Sequence, residues 1–427
     1  MYRFVHAADL HLDSPFRGML VDTPNHAERL RRATFETFDR IVDLCIDEAV
    51  DGLLVAGDVF DSAEPELGAE LKFRDGLIRL AEHGIRSFVC HGNHDPLDGW
   101  RAGLDWPAEV HRFGAVPEGV PLNETDDTSP LIFGVSYPTR DVRENLVPLF
   151  PSRDSNRPAI GLLHANVGSN PEHGSYAPCT IDDLVRTGYD YWALGHVHTR
   201  VILRGPDDGA PVIVYPGNAQ GRHPNETGPR GVYLVEMDHN GVVAEPQFKT
   251  LDVIRWESIQ LTIDGMDDEQ DLIDALEGEV RAAQDSAENR PLVYRIQIEG
   301  RGSVHTALGH KGFLIDIQEK LNDQFANRSP FALCVSIIAA TAISINREEL
   351  AQGGDFVADL LALIDSVQAN PSELQKLADE AGLPALYGHN RARRYLADST
   401  PDDTKLASLV SDAERLLLNG LVDEEGL

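Results

Sequence analysis

Five polar clusters recur along the first half of this sequence, and each follows a short apolar run. The clusters are Asp9 with His11, Asp58, Asn93 with His94 and Asp95, His164, and His196 with His198. Short continuous apolar runs are typical of strands that are buried on both faces of a sheet. The carboxyl ends of such strands are where open α/β sheets bind ligands. The pattern therefore predicts that five sets of metal-binding side chains lie together at strand ends.

The side-chain types in these clusters suit a pair of divalent cations. Two such ions about 4 Å apart need a bridging carboxylate and further oxygen or imidazole ligands. Asp58 is the natural bridge, and one ion could be completed by Asp9, His11 and one of the two late histidines. The other ion could be completed by Asn93, His164 and the remaining late histidine. A nitrogen and oxygen set without a thiolate favours manganese, iron or zinc over a magnesium pair bound by oxygen alone.

The tetrapeptide Gly92-Asn93-His94-Asp95 adds a group for proton transfer. Asn93 offers an uncharged oxygen ligand, and His94 could supply a proton if Asp95 fixes its ring. His91 could lie near substrate, or it could be a packed, hydrogen-bonded histidine. A lone histidine such as His164 is more often structural than metal-binding, but the four other clusters favour a metal role.

The net charge limits the choice of substrate. The 427 residues include 70 acidic and 37 basic side chains, which leaves −33 at pH 7. A field of that sign repels nucleic acid unless bound cations reverse it locally. Composition therefore argues modestly against a DNA substrate.

The cysteines and the apolar runs bear on the compartment. The four cysteines are scattered and form no Cys-x-x-Cys pair, which suits a reducing compartment. No apolar run approaches the roughly 20 residues that span a bilayer. Met1 leads directly into a predicted strand without a signal segment. We therefore expect a cytoplasmic protein with no membrane partner.

Hydrophobic periodicity predicts three regions. Residues 1–248 alternate strand-like and helix-like patterns, with helices over 26–49 and 65–83, which predicts an α/β layered sandwich with helices outside. Residues 249–346 form a small predicted α+β domain. Residues 347–427 are acidic and mostly helical.

Two sets of motifs carry a family resemblance. The first set is Asp9-Leu-His11, Gly57-Asp58-Val-Phe-Asp61, Gly92-Asn93-His94-Asp95, the lone His164 and Gly195-His196-Val-His198. It resembles the full motif set of the calcineurin-like metallophosphoesterases. The second set is His6-Ala-Ala-Asp-Leu-His-Leu-Asp-Ser-Pro-Phe16, Tyr176-Ala-Pro-Cys-Thr180, Tyr191-Trp-Ala-Leu-Gly-His-Val-His198 and Pro216-Gly-Asn-Ala-Gln-Gly-Arg-His223. It resembles the bacterial SbcD-type DNA-repair exonucleases, specifically their YhaO branch.

The resemblance implies a fold and a metal centre. The implied fold is a four-layer αββα metallophosphoesterase sandwich with a small α+β capping domain and a helical C-terminal tail. Asp9, His11, Asp58 and His198 would hold one metal, and Asp58, Asn93, His164 and His196 the other. His94, oriented by Asp95, would assist the leaving group during metal-hydroxide attack on a phosphodiester. The implied cofactors are two divalent metal ions, with Mn2+ expected and Fe2+, Zn2+ or Mg2+ as alternatives.

The resemblance also implies partners. The expected substrate is DNA, cut by the nuclease subunit of an SbcCD-like repair complex whose tail docks on an SbcC/YhaN-like coiled-coil ATPase. A homodimer through the nuclease domain is a further expectation. One alternative is a metallophosphodiesterase that acts on nucleotides or other small phosphodiesters, for which an acidic surface is no handicap. The other is a non-catalytic scaffold for the ATPase, but none of the expected ligands is missing.

Three groups outside the ligand set allow two interpretations each. Arg222 and His223 follow Gly217 and Gly221, so they could contact a substrate phosphate or belong to an ion-paired surface loop. Asp61 is expected to hold its loop or orient a ligand, not to bind metal. The basic cluster of the tail is predicted to be a solvated helix face in preference to a partner or DNA contact; it consists of Arg391, Arg393 and Arg394.

Overall fold

The computed structural model describes residues 1–14, 24–153, 156–168, 176–343, 347–388 and 403–425. The basic cluster Arg391, Arg393 and Arg394 lies outside these residues, so the prediction for it stays a prediction. None of the described helices is long and apolar enough to cross a membrane.

The strands follow the short apolar runs of the sequence. Their bounds are β1 (Tyr2–Ala7), β2 (Gly52–Ala56), β3 (Arg86–Cys90), β4 (Val110–Arg112), β5 (Glu118–Pro121), β6 (Leu131–Val135), β7 (Ala159–His164), β8 (Tyr191–Gly195), β9 (Val201–Arg204), β10 (Val212–Tyr215), β11 (Gly231–Asp238), β12 (Gly241–Val242), β13 (Gln247–Thr250), β14 (Arg255–Thr262), β15 (Leu292–Arg301) and β16 (Ala332–Ala342).

The helices follow the segments of helical periodicity. Their bounds are α1 (Pro24–Asp47), α2 (Leu67–Glu82), α3 (Ile181–Arg186), α4 (Glu269–Ser286), α5 (Val304–Leu308), α6 (Phe313–Phe325), α7 (Arg347–Gln352), α8 (Phe356–Gln368), α9 (Pro371–Glu380), α10 (Leu383–Gly388) and α11 (Asp403–Glu425). The helices predicted over 26–49 and 65–83 are confirmed as α1 and α2. Helix α2 ends because Gly84 adopts a φ of 71°, the left-handed conformation that closes helices.

The first sheet is mixed and has the strand order β12-β11-β1-β2-β3-β4, with β13 paired to β11. Strands β1 to β4 are parallel, and Phe4 of β1 lies opposite Gly52 of β2. One face of this sheet packs against α1 and α2 through residues such as Val55, Phe38 and Phe73. Strands β1 to β3 are therefore apolar throughout, as expected for strands covered on both faces.

The second sheet has the order β5-β6-β7-β8-β10-β9. Its inner face packs directly on the first sheet, where Leu54 and Phe88 share a core with Ile160 and Leu162. Its outer face is covered by a thinner layer that includes α3, which buries Leu184. The layer order is helix, sheet, sheet, helix, which confirms the predicted αββα sandwich.

The remainder of the chain contains a three-stranded sheet and a helical C-terminal region. The sheet has the order β14-β15-β16, and the described tail consists of α7 to α11. The chain divides into two compact units. The first is Met1–Ile259, Glu277–Ile296 and Gln318–Ile337, and the second is Gln260–Leu276, Gln297–Ile317 and Ile338–Leu427. The three-region division at 248 and 346 stays a prediction.

Candidate metal centre

The five predicted clusters meet where strands of both large sheets end. Asp9, Asp58 and Asn93 follow β1, β2 and β3 of the first sheet. His164 is the last residue of β7, and His196 follows β8, both in the second sheet. The contacts between these side chains show that the site combines two sheets, whereas the sequence pattern alone indicated only shared strand ends.

The backbone turns sharply at three of these strand ends. The φ angles of Asp9, His11, Asp58 and His196 are 51°, 44°, 49° and 100°, a region that residues other than glycine rarely adopt. The main-chain N–H of Asp9 donates to Gly57 O at 3.1 Å, and that of His11 donates to Asp58 O at 3.1 Å. These bonds lock neighbouring turns to one another and fix the directions of the side chains.

His164 presents one nitrogen to two oxygens. Its Nδ1 donates to the carbonyl of Ala56 at 3.0 Å, so a neutral ring carries its lone pair on Nε2. Nε2 lies 3.0 Å from Asn93 Oδ1 and 3.4 Å from Asp58 Oδ2. Three lone-pair atoms therefore converge on one point, and either a proton or a cation must lie among them.

The charges around His164 also require a proton or a cation at this point. Burial disfavours the charged imidazole, but the Asp58 carboxylate outweighs it and raises the pKa of His164 to about 9. Burial likewise disfavours the Asp58 carboxylate, but the charge and hydrogen bond of His164 hold the pKa of Asp58 well below its usual range. A divalent cation would neutralise the Asp58 carboxylate in place of the proton. The donor set therefore fits a metal.

His11 and His198 form a second convergence. Their Nε2 atoms face each other at 3.3 Å, and His198 Nε2 is 3.8 Å from Asp9 Oδ1. The Nδ1 of His198 donates to Glu226 Oε1 at 2.7 Å, which leaves its Nε2 as the ligand atom. Burial and the charge of Arg222 lower the pKa of His11 to about 3, so this ring is neutral and able to bind a metal.

The structure brings together all seven side chains predicted as ligands. Ligand atoms of Asp9, His11 and His198 lie within 4.8 Å of one another, as do those of Asp9, Asp58 and His164. Asn93 is bonded to His164, and the ring centroid of His196 is 5.2 Å from that of His164. The assignment of each side chain to a particular metal stays a prediction.

The contacts of Asp95 differ from those predicted. Its carboxylate accepts hydrogen bonds from the main-chain N–H of Gly92 at 2.7 Å and of Val59 at 3.0 Å, and from His91 Nδ1 at 3.0 Å. The ring of His94 is oriented instead by the main-chain oxygen of Asp61, which accepts from Nδ1 at 3.0 Å. The prediction that Asp95 orients His94 was therefore wrong. The hydrogen bonds of Asp95 stabilise the loop that contains it, and His91 is one of its buried partners.

Asp61 contacts two of the site histidines, and its expected role of orienting a ligand stays a prediction. Its Oδ1 lies 3.1 Å from His11 Nδ1 and 3.5 Å from His94 Nδ1. Burial opposes ionisation, but the hydrogen bond of His11 and the charge of Arg222 hold the pKa of Asp61 far below its usual range. The anionic carboxylate thus contacts a predicted ligand, the predicted acid and an arginine at once.

A cavity of about 250 Å³ opens beside His94. It is lined by Ser14, Asp61, His94, His198, Arg222, His223 and Glu226. The guanidinium of Arg222 donates to Ser14 Oγ at 2.7 Å and to Asp61 Oδ1 at 3.2 Å, while His223 is exposed at the surface. Both predicted substrate-binding residues therefore border the cavity, and Arg222 is also ion-paired.

At two glycines of the site, the Cβ of any other residue would collide with neighbouring atoms. A Cβ at Gly92 would collide with Asp58 Oδ1 and with the ring of His164. A Cβ at Gly195 would collide with the main-chain oxygen of Ala56, which is the acceptor for His164. The glycines of two motifs are thus required for close packing around His164.

Sequence reasoning missed Glu226 and Ser14. Although burial opposes ionisation, the hydrogen bond of His198 and the charge of Arg222 hold the pKa of Glu226 well below its usual range. The only sequence signal was the i,i+4 spacing of Arg222 and Glu226 immediately after a glycine-rich motif. That spacing does not by itself indicate a contact with His198.

The sandwich and its cluster of carboxylates, imidazoles and one amide define a class, that of the metal-dependent phosphoesterases. The family model of calcineurin-like phosphoesterases matches residues 2–200, and that of the middle domain of metallophosphoesterase YhaO matches residues 256–340. The chain belongs to the calcineurin-like metallophosphoesterases, in their YhaO branch. It is therefore a metal-dependent hydrolase, and metallophosphoesterases use two divalent metals.

Three relatives illustrate the range of similarity. The uncharacterized metallophosphoesterase YhaO of Bacillus subtilis is 35% identical over 330 residues, which cover 77% of this chain and 79% of that protein. The DNA double-strand break repair protein Mre11 of Sulfurisphaera tokodaii is 30% identical over 43% of this chain and 47% of that protein. The Mre11 protein of Haloferax volcanii is 24% identical over 97% of this chain and 86% of that protein.

Proposed function

We propose that this chain is a DNA nuclease that hydrolyses phosphodiester bonds with two divalent cations. The observation that carries the proposal is the convergence of seven metal-type side chains beside a cavity that His94 lines. The preference for DNA over other phosphodiesters is supported by the similarity to proteins named for DNA double-strand break repair.

The donor set supports a cation pair held as the sequence motifs imply. Asp9, His11, Asp58 and His198 would hold one ion, and Asp58, Asn93, His164 and His196 the other. When bound, the ions would supply Lewis acidity at the phosphate and lower the pKa of a water nucleophile. We propose Mn2+ because the ligands are a mixture of imidazole nitrogen and oxygen, with Fe2+, Zn2+ and Mg2+ as alternatives.

His94 is proposed to protonate the leaving alkoxide. Its Nδ1 is committed to the main-chain oxygen of Asp61, so Nε2 is the nitrogen that remains for substrate. The side chain is 29% exposed and borders the cavity, so a substrate oxygen can reach it. Arg222 and His223, on the same cavity, are proposed to bind the phosphate that is cut.

The proposal includes the partners expected from the sequence. These are an SbcC/YhaN-like coiled-coil ATPase, bound through the helical tail, and a second copy of the chain. We also propose the cytoplasmic location expected from the sequence, because a DNA nuclease must act in the compartment that contains the DNA.

A second candidate function is hydrolysis of nucleotides or other small phosphodiesters. The net charge of −33 favours it, because a small substrate is repelled less than a DNA strand. The third candidate, a non-catalytic scaffold, is disfavoured because the complete donor set is present.

The test is a Mn2+-dependent assay of the full chain on labelled DNA, beside bis-p-nitrophenyl phosphate. We expect His94→Ala to retain its bound metal, measured by elemental analysis, and to lose activity by about 10²- to 10⁴-fold, as for other general acids. His111→Ala is the matched control, because His111 bonds a surface carboxylate, Glu118, at 3.0 Å.

Three results would contradict parts of the proposal. Full activity of His94→Ala would exclude the acid role. Cleavage of the small ester, with no cleavage of DNA even when the ATPase partner is added, would favour the second candidate. Metal-loaded protein that cleaves neither substrate would favour the scaffold.

A further inference from the structure

A second cavity, of about 350 Å³, lies along the segment that follows β3. Its walls include His91, Leu97, Arg101, Trp106, Arg112 and Phe113. His91 is bonded to Asp95, so this cavity adjoins the loop that also carries Asn93 and His94. None of its described lining residues also lines the cavity beside His94.

Among the residues that the structure describes, the lining of this cavity contains two guanidinium groups and no acidic side chain. Acidic side chains outnumber basic ones by 70 to 37 in this chain, so a wall with only basic charges is unusual for it. Among the described residues, the carboxylate that acts on the pKa of Arg112 belongs to Glu70, which is buried and accepts from the main-chain N–H of Ala102 at 3.0 Å. That carboxylate does not line the cavity.

Arg101 has a structural role in the wall. Its guanidinium donates to the main-chain oxygens of Asp95 at 2.6 Å and Trp100 at 2.7 Å. Carbonyl groups accept from both of its terminal nitrogens, but they do not neutralise its charge. Arg101 has no ion pair within the part of the chain that the structure describes.

Arg112 is the group that is available to a ligand. Its guanidinium carbon lies 4.7 Å from the ring centroid of Trp106, and among the described residues it has no hydrogen bond or ion pair from its side chain. Arg112 is exposed on the edge strand β4, yet partial desolvation and the charge of Arg101 lower its pKa, so the two cations repel each other. An anion between them would remove that repulsion.

We propose that this cavity binds the phosphate group of a nucleotide or of a nucleic-acid strand, with the guanidinium of Arg112 as the principal contact. A guanidinium is planar and carries five donors that match phosphate oxygens in pairs. Stacking on Trp106 holds one face of the group and leaves its edge for the ligand. A strand held here would pass beside the loop of His94, although binding itself needs no cleavage.

The experiment measures binding to the full chain in EDTA, so that the metal centre does not contribute. Calorimetric titrations use inorganic phosphate, a 5′-mononucleotide and a short single-stranded oligonucleotide. We expect Arg112→Gln to raise the Kd of the probes that bind by about tenfold or more, as for loss of a charge-assisted contact. Arg79→Gln is the matched control, because it makes the same charge change at an exposed ion pair with Asp43.

The probes distinguish the source of the phosphate. Equal sensitivity of the mononucleotide and the oligonucleotide to Arg112→Gln assigns the cavity to a small ligand. Sensitivity confined to the oligonucleotide assigns it to a strand. Arg112→Lys keeps the charge and is expected to bind more tightly than Arg112→Gln, while circular dichroism melting curves check that each variant is folded.

The proposal is overturned if no probe binds the wild-type chain, or if Arg112→Gln and Arg79→Gln weaken binding equally. These outcomes are independent of the nuclease assay. A chain that binds phosphate through Arg112 but cleaves no DNA would refute the proposed nuclease function alone.

Discussion

Glu226 is predicted to control the metal affinity of the centre through His198. Its Oε1 accepts the hydrogen bond from His198 Nδ1 at 2.7 Å, while Nε2 of the same ring faces His11 and Asp9. A carboxylate in this position fixes the orientation of the imidazole and makes its other nitrogen more basic. Removing the negative charge should therefore weaken the binding of a metal by His198.

The size of the effect follows from the contacts of Glu226. Glu226→Gln keeps the side-chain length and an oxygen acceptor, so the principal change is the lost charge. Comparable partners of metal-binding histidines change metal affinity by about 10- to 100-fold, or roughly 1.4 to 2.7 kcal/mol. The side chain of Glu226 is only 12% exposed, so solvent screens little of its charge. We therefore expect the upper half of that range.

The assay is a calorimetric titration of metal-stripped protein with Mn2+. Glu118→Gln is the matched control, because Glu118 also bonds a histidine, His111, at 3.0 Å. Its side chain is 58% exposed and lies outside the site, so its substitution should leave the affinity within about twofold. Unchanged affinity in Glu226→Gln, or equal losses in both variants, would refute the reasoning.

The remaining predictions concern stability. Gly92→Ala should destabilise the chain by about 1–3 kcal/mol, because the added Cβ collides with Asp58 and His164. Gly68→Ala should not destabilise the chain, because the added Cβ meets open space. Urea unfolding of both variants measures the difference in stability. Saturating Mn2+ should stabilise the wild type by about 2.7 kcal/mol at a hundred times Kd, and Asp58→Asn should abolish that gain in a thermal-shift assay. Burial lowers the pKa of His6 to about 3, below its value of 6.5 in an unfolded chain, so the unfolded state takes up the proton first as pH falls. Stability should thus fall between pH 6.5 and pH 3 with a slope of up to about 1.4 kcal/mol per pH unit from this group. A variant His6→Gln with the same acid slope as the wild type would contradict that assignment.

The strand ends of the site were predictable because their signal is local. Strands β1, β2 and β3 are short apolar runs, and in each case the polar cluster follows within a few residues. Burial on both faces makes such runs conspicuous. The same argument explains why the short strands β4, β5 and β9, with partly exposed residues, gave no comparable pattern.

The partners of the site histidines were not predictable, because they are set by turn geometry and by distant segments. Asp95 follows His94 directly in sequence, yet its carboxylate bonds to the backbone of its own loop and to His91. The group that orients His94 comes from Asp61, 33 residues earlier. Adjacent side chains in a turn point in different directions, so proximity in sequence is a poor guide to contact there.

The strained backbone of the site bears on how the centre binds metal. Positive φ angles at Asp9, His11, Asp58 and His196 cost of order 1–3 kcal/mol each, so the surrounding structure must stabilise them. Interlocked bonds do so: Asp9 N–H donates to Gly57 O, His11 N–H donates to Asp58 O, and the Asp9 carboxylate accepts from His196 N–H at 3.1 Å. These bonds hold the turns that carry the ligand side chains, so little of the free energy of metal binding should be spent on ordering those turns.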